Sequence, residues 1–253
     1  MPEEFIVPET GPVISWSDKF VGILSSPGEL YASVLKNPEK NNSNWGIPMI
    51  LSIIIAILFT FVVFSQPPIQ DQLHETQLKA MQKSVADGKM TQEQMDTAME
   101  RNPAKPGTPM FMIFGAVGAA LVTVVMVFAY SGVYWLGGKL ALKTNASYLK
   151  VAEVYGLSLF VAVVGTLLTM ILMVAMGSLY ATPSLALAVN NFDPMDKTHK
   201  LLASINVIDF WQLFVIGVGL SKLWSTSTGK AMGVVGGVWI IWTALKVFVG
   251  FGM

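Results

Sequence analysis

Three ionisable residues lie within long apolar stretches of this sequence: Glu153, Asp209 and Lys246. Charged side chains at membrane depth are costly, and they are usually paired or functional. Asp209 and Lys246 flank a short polar turn at residues 225–229, and at ~1.5 Å per residue both lie roughly 22–26 Å from it. We therefore predict a contact between them, direct or through water, that locks two antiparallel helices together.

Each of these residues also has a simpler interpretation. Lys246 can extend its side chain outward to the membrane surface, and Asp209 can lie at the interface. Glu153 falls within a turn of the start of its apolar stretch, so the simpler role is an interfacial one near a helix N-terminus. In each case the charge would lie near the membrane interface. The sequence alone does not decide between this interfacial position and a paired or functional role within the membrane.

Other residue types that could support catalysis do not form a recognisable constellation. His74 and His199 lie in polar segments without the spacing of metal ligands, so we expect both to be solvated. The chain has no cysteine, which excludes disulfides, thiolate metal sites and cysteine nucleophiles. Asp87-Gly88-Lys89 lacks the acidic pattern of a calcium loop. We therefore predict a protein that is not an enzyme and has no cofactor and no metal.

The amino-acid composition distinguishes a membrane protein from a soluble one. Of its 253 residues, 53% are hydrophobic and only 13% are charged, against about 25% charged in soluble domains. Several apolar runs approach the ~18 residues that indicate a membrane helix. The formal net charge of zero suggests no nucleic-acid partner. The sequence thus predicts an all-α integral membrane protein.

Apolar runs separated by polar segments predict five transmembrane helices. An odd number places the termini on opposite sides of the membrane. Short connectors count most in the positive-inside rule, and they carry Lys139, Lys143, Lys150, Lys222 and Lys230. This distribution predicts a cytoplasmic N-terminus and an extracytoplasmic C-terminus. The predicted spans cover residues 47–64, 109–136, 151–180, 203–224 and 231–251.

Two polar regions flank the first span. Residues 1–44 form an N-terminal segment, extended over 1–16 and then helical, with Ser26 and Pro27 as a typical helix start. Its amphipathic helices either dock a partner or plug the end of the bundle, and we favour the plug. The membrane domain, 45–253, contains an extracytoplasmic insert at 67–108. Helical patterns at 70–86 and 91–102, with a capping box at Thr91 and Gln94, predict a helical hairpin there.

Several short motifs lie at the ends of the chain. Near the C-terminus they are Asp209-Phe210-Trp211, Gly219-Leu220-Ser221, Lys230-Ala231 and Trp239, and near the N-terminus Phe20, Ser26-Pro27 and Trp45-Gly46-Ile47-Pro48. Together they resemble bacterial Yip1-domain proteins over most of the chain. The resemblance implies the same membrane orientation, location in the inner (cytoplasmic) membrane, and a role as an accessory or assembly factor, in some cases beside ABC-type exporters. The eukaryotic members of the family act in vesicle traffic by binding partner proteins, so the resemblance also points to partner binding.

Gly229, Gly233 and Gly237 recur at intervals of four on the last span. Small residues at this spacing allow helices to approach closely, so we predict a helix-packing face within the chain, or a dimer face. In a homo-oligomer, these glycines would form the dimer face.

These features favour a non-catalytic membrane scaffold or accessory factor over a small-molecule or ion transporter or channel subunit. A transporter would show repeats or interrupted spans around polar groups, whereas this chain shows no convincing repeat. We expect its partners to be membrane lipids and a membrane protein, such as an ABC transporter component.

Overall fold

The computed structural model describes residues 14–37 and 39–249, and within them every regular element is helical. A four-residue 3₁₀ turn at Leu185–Ala188 and a π-helical turn at Leu245–Val249 accompany ten α-helices. The helices are α1 (Trp16–Ser25), α2 (Pro27–Val34), α3 (Ser43–Phe64), α4 (Pro67–Ala86), α5 (Gln92–Arg101), α6 (Pro109–Ala141), α7 (Tyr148–Met176), α8 (Lys197–Ser204), α9 (Val207–Leu223) and α10 (Thr228–Ala244). The all-α prediction is confirmed for these residues.

Four helical stretches of the described chain are long and apolar enough to cross a membrane: α3, α6, α7 and α10 with its π-helical extension to Phe248. The expected count of five is not confirmed, because α9 has only 17 residues. At ~1.5 Å per residue α9 is about 25 Å long, somewhat less than the ~30 Å hydrocarbon core. The multi-pass membrane assignment does not depend on this fifth helix.

The predicted fourth span, 203–224, begins too early because a polar residue interrupts the helix. Asn206 accepts hydrogen bonds from the N–H groups of Ile208 (2.9 Å) and Asp209 (3.4 Å) through its side-chain oxygen. These N–H groups would otherwise lack partners at a helix start, so α9 begins at Val207. The last span was predicted to end at 251, and its final residues lie outside the described part, as do residues 1–13 of the predicted extended segment.

One compact unit, called unit 1, comprises the described residues up to Pro48 together with Val127–Val161 and Trp211–Ile240. Every residue of α7 from 151 to 160 is buried in the described structure. A helical segment that is mostly apolar and enclosed on all sides is typical of a bundle centre. Close approach requires small residues: a Cβ added to Gly219 would lie 2.6 Å from Val154 and 2.7 Å from the Tyr31 ring. Unit 1 is therefore densely packed around α7.

The second compact unit, unit 2, comprises Met49–Met126, Ala162–Phe210 and the described residues from Ile241. It contains the predicted hairpin as α4 and α5, which contact one another. The capping box is confirmed, since the Thr91 side chain accepts from Gln94 N–H (3.1 Å) and Gln94 returns a bond to Thr91 N–H (2.9 Å). Its buried cluster is small: Val63, Ile69, Met173 and Ala181.

Candidate functional site: a buried polar junction at the start of helix α7

Glu153 lies in the second turn of α7 and is 1% exposed. Its Oε1 accepts the N–H of Asn41 at 2.9 Å and lies 3.1 Å from the Lys150 ammonium. Its other oxygen, Oε2, accepts from the Asn44 side-chain amide at 3.0 Å. A buried carboxylate needs such compensation for its lost hydration. Glu153 is therefore more than the interfacial residue that the sequence suggested: one of its oxygens binds the segment that precedes α3, and the other binds the first turn of α3.

Two lysines complete this group. The Lys150 ammonium also donates to the backbone carbonyls of Asn37 (3.0 Å) and Glu39. The Lys19 ammonium, on α1, donates to Asn44 Oδ1 at 2.8 Å and lies 4.0 Å from the centre of the Trp16 ring. Burial lowers the pKa of Lys19, and the nearby Glu153 carboxylate opposes that shift. We call this set the polar junction: Lys19, Asn41, Asn44, Lys150 and Glu153.

The local sequence explains why the chain can present these groups. Asn41 Oδ1 accepts the Ser43 N–H at 3.1 Å, and this bond turns the chain toward the start of α3. The turn places Trp45 against α7 at Gly156, where an added Cβ would lie 2.3 Å from the Trp45 Cα. Because only glycine fits there, α3 and α7 approach closely enough for Asn44 to reach Glu153.

The N-terminal helices are held on the same helix by a second buried contact. Tyr31 is fully buried, and its hydroxyl donates to the Val154 carbonyl at 2.7 Å. Burial raises the pKa of the Tyr31 hydroxyl well above its usual range. Phe20 packs edge-to-face on Phe160, with ring centroids 5.3 Å apart. Of the two interpretations of the N-terminal helices, packing against the bundle is therefore the one observed.

Chemically, the junction combines one carboxylate with two ammonium groups, and each makes internal hydrogen bonds. Such a group can position a segment, because breaking a buried ion pair is strongly unfavourable. No group of three or more potential metal-ligating side chains occurs among the described residues. The polar junction is therefore suited to holding Lys19, Asn41 and Asn44, and the segment that contains them, against α7.

Comparison with protein families shows the family to which this sequence is related. A family model for the Yip1 domain matches residues 21–249. The chain belongs to the Yip1 domain family. No curated protein and no solved structure shows a significant match to it.

The match covers most of the chain, including four of the five residues in the polar junction; Lys19 lies just before the matched region. The family is a membrane protein family, in agreement with the apolar helices. The Yip1 domain also contains three neighbouring tyrosine rings in unit 1, with centroids 5.7–6.3 Å apart: Tyr130, Tyr134 and Tyr155. Tyr155 directly precedes Gly156, so these rings line the α7 region next to the junction.

Asp209 and Lys246 lie in unit 2 of the Yip1 domain. Asp209 is exposed in the first turn of α9, and Lys246 is half-buried in the π-helical turn. No ion pair within 4.0 Å joins them in the part of the chain that the structure describes, although Lys246 is close enough to act on Asp209 electrostatically. A direct salt bridge is therefore not observed, and a water-bridged contact remains a prediction.

Gly229, Gly233 and Gly237 face open space in the described Yip1 domain. A Cβ added to any of them would meet no atom within 4 Å. Packing within the chain instead uses glycines for which we made no such prediction, including Gly156, Gly217 and Gly219. Use of the α10 glycines against another chain remains a prediction.

One histidine prediction was partly wrong. His74 is exposed as expected, but His199 is half-buried and accepts the Asp193 N–H through Nδ1 at 2.9 Å. Its ring also lies 5.4 Å from the Phe192 ring. The polar composition around His199 favoured a solvated side chain. Its contacts with Phe192 and Asp193 depend on the shape of a turn, which the sequence does not specify.

Proposed function

We propose that this Yip1-domain protein is a non-catalytic membrane scaffold or accessory factor that acts by binding a protein partner, an ABC-type exporter component. The observation that carries the proposal is the polar junction. The buried charged side chains described in unit 1 are Lys19, Lys150 and Glu153, and all three hold the N-terminal segment on α7. Because these buried charges fix the N-terminal segment in place, they support a role in which that segment presents a binding surface to a partner protein.

A transporter or channel subunit would need polar side chains available to a moving substrate. In unit 1, buried hydroxyls of Ser131, Ser158 and Ser221 instead donate to carbonyls of their own helices. The outer side of α1 remains accessible, and Val21 there is 59% exposed. This accessible side of a helix that is fixed on α7 is the surface at which we place the partner.

The proposal includes five spans, with α9 as the short fourth, in the bacterial inner membrane. The N-terminus is cytoplasmic and the C-terminus extracytoplasmic, so the junction and the lysine-rich connectors face the cytoplasm. Because the chain contains no cysteine, single cysteines provide a direct test in intact cells. An impermeant reagent should label Gln92→Cys and Asn190→Cys but not Asn145→Cys or Ser225→Cys. Labelling of Ser225→Cys would overturn this orientation.

Site-specific crosslinking tests the partner. A photoreactive residue at Val21 should capture an ATP-binding subunit or permease of an exporter in native membranes, whereas one at Gln92 on α5 should not. Val21→Glu should abolish the copurification of that partner without changing the thermal stability of the isolated protein. Purified protein that transports a solute unaided in liposomes would reverse the ranking in favour of a transporter.

A further inference from the structure

Unit 2 contains a cavity of about 550 Å³, a size typical of small-molecule sites. One wall is α4, which contributes Gln72, Glu75, Thr76 and Lys79. The other wall is the segment that follows α7, from Met176 to Met195. Gln72 joins the two walls: its amide donates to the Gly177 carbonyl (2.7 Å) and accepts from the Leu179 N–H (3.0 Å).

The position of the cavity follows from the helices that border it. α7 is a candidate membrane span, and the lining begins at its last residue, Met176. α4 begins at Pro67, directly after the candidate span α3 ends at Phe64. Both walls therefore start where a membrane-crossing helix ends, which is the level of lipid headgroups.

The walls combine three kinds of chemistry. Tyr180 and Phe192 stack with centroids 4.5 Å apart, and aromatic faces attract organic cations. Glu75 and Asp193 supply carboxylates, and Lys79 supplies an ammonium 2.8 Å from Glu75. That pair is well exposed, so either partner can turn to a ligand at little cost.

The third kind of chemistry is apolar. Three residues of the lining are exposed apolar side chains: Met176, Leu187 and Met195, at 57%, 44% and 37%. They provide a surface that suits an acyl chain leaving the cavity. A ligand that matches all three features carries a positive group, a negative group and a hydrocarbon tail.

We propose that this cavity binds the zwitterionic headgroup of an amine-bearing phospholipid. The ammonium group of the lipid lies beside the stacked rings of Tyr180 and Phe192, between the carboxylates of Glu75 and Asp193. The phosphate lies toward Lys79, and an acyl chain follows Met176 and Leu187. This inference is independent of the proposed scaffold role.

Native mass spectrometry of the full chain in mild detergent tests the site. The probes are phosphatidylethanolamine, phosphatidylglycerol of the same acyl chains, and free phosphoethanolamine. We expect one phosphatidylethanolamine to bind at least tenfold more tightly than phosphatidylglycerol. Equal binding of both lipids would overturn the proposal and indicate non-specific lipid contact. Competition by phosphoethanolamine as strong as that of the lipid would overturn the lipid assignment in favour of a free solute.

Variants locate the effect. Asp193→Asn retains the oxygen that accepts the Met195 N–H (2.8 Å) but removes the charge, so binding should weaken at least fivefold without loss of the turn. Phe192→Leu should weaken binding severalfold, whereas Phe192→Tyr, which keeps an aromatic face, should not. Glu100→Gln on α5 removes the same charge outside the cavity and should have no effect. Unchanged binding in both Asp193→Asn and Phe192→Leu would refute the site.

Discussion

Unit 1 and unit 2 place their charged groups in opposite ways. In unit 1, Lys19, Lys150 and Glu153 are each at most 9% exposed and interact through a shared network. In unit 2, the ion pair Lys79–Glu75 has side chains 63% and 62% exposed. Buried pairs are expensive to disrupt and exposed pairs contribute little. The comparison indicates that charged side chains contribute to the stability of unit 1 by joining distant segments, whereas the described ion pairs of unit 2 contribute little.

The largest expected effect comes from Glu153→Gln. It leaves two buried ammonium groups without their carboxylate, which should lower the free energy of unfolding by about 3–4 kcal/mol. Denaturant unfolding in mild detergent measures this change. Glu75→Gln, the matched loss of charge in unit 2, should have no measurable effect. Equal effects of the two variants would remove the distinction between the units.

Gly156→Ala tests packing density in unit 1. The new Cβ would meet the Trp45 backbone at 2.3 Å, so the variant should lose about 2–3 kcal/mol of stability. In unit 2, the Cβ of Gly115→Ala would meet only the side chain of Thr60, at 3.1 Å, so a much smaller adjustment would accommodate it. We expect a clearly smaller loss there by the same unfolding assay. Gly118→Ala, which meets open space, should be neutral or slightly stabilising.

Tyr31→Phe removes the hydroxyl that donates to Val154 while it keeps the ring. A buried hydrogen bond of this kind contributes about 1 kcal/mol, so thermal stability should fall modestly. Hydrogen exchange of α1 and α2 should accelerate more than exchange of α4 and α5. Uniform acceleration along the chain would contradict a local docking role for Tyr31.

The smallest expected effect concerns Asp209 and Lys246. Since no direct ion pair joins them in the described structure, a double-mutant cycle of Asp209→Asn and Lys246→Met should give a measurable coupling that stays below ~1 kcal/mol. A coupling of zero would remove the predicted water-bridged contact. A coupling above about 2 kcal/mol would show that unit 2 also contains a strong buried pair.

Local patterns were predictable from the sequence, and distant contacts were not. The capping box of α5 joins residues three apart, so Thr91 and Gln94 identified it directly. Glu153 was recognised as unusual, but its partners Asn41 and Asn44 lie 112 and 109 residues away. Residue type also did not separate Gly156, which is tightly enclosed, from Gly229, which faces open space. Those differences arise from tertiary packing, which a single sequence does not contain.

The bond between Tyr31 and Val154 also sets an order of events during synthesis. These residues are 123 positions apart, and ribosomes add about 5–20 residues per second. For roughly 6–25 s, the first two helices therefore exist without the helix that receives them. During that interval, Tyr31 and Phe20 lack the α7 residues that cover them in the folded chain. Helices α1 and α2 are therefore made well before the helix on which they finally pack, and their docking waits for the synthesis of α7.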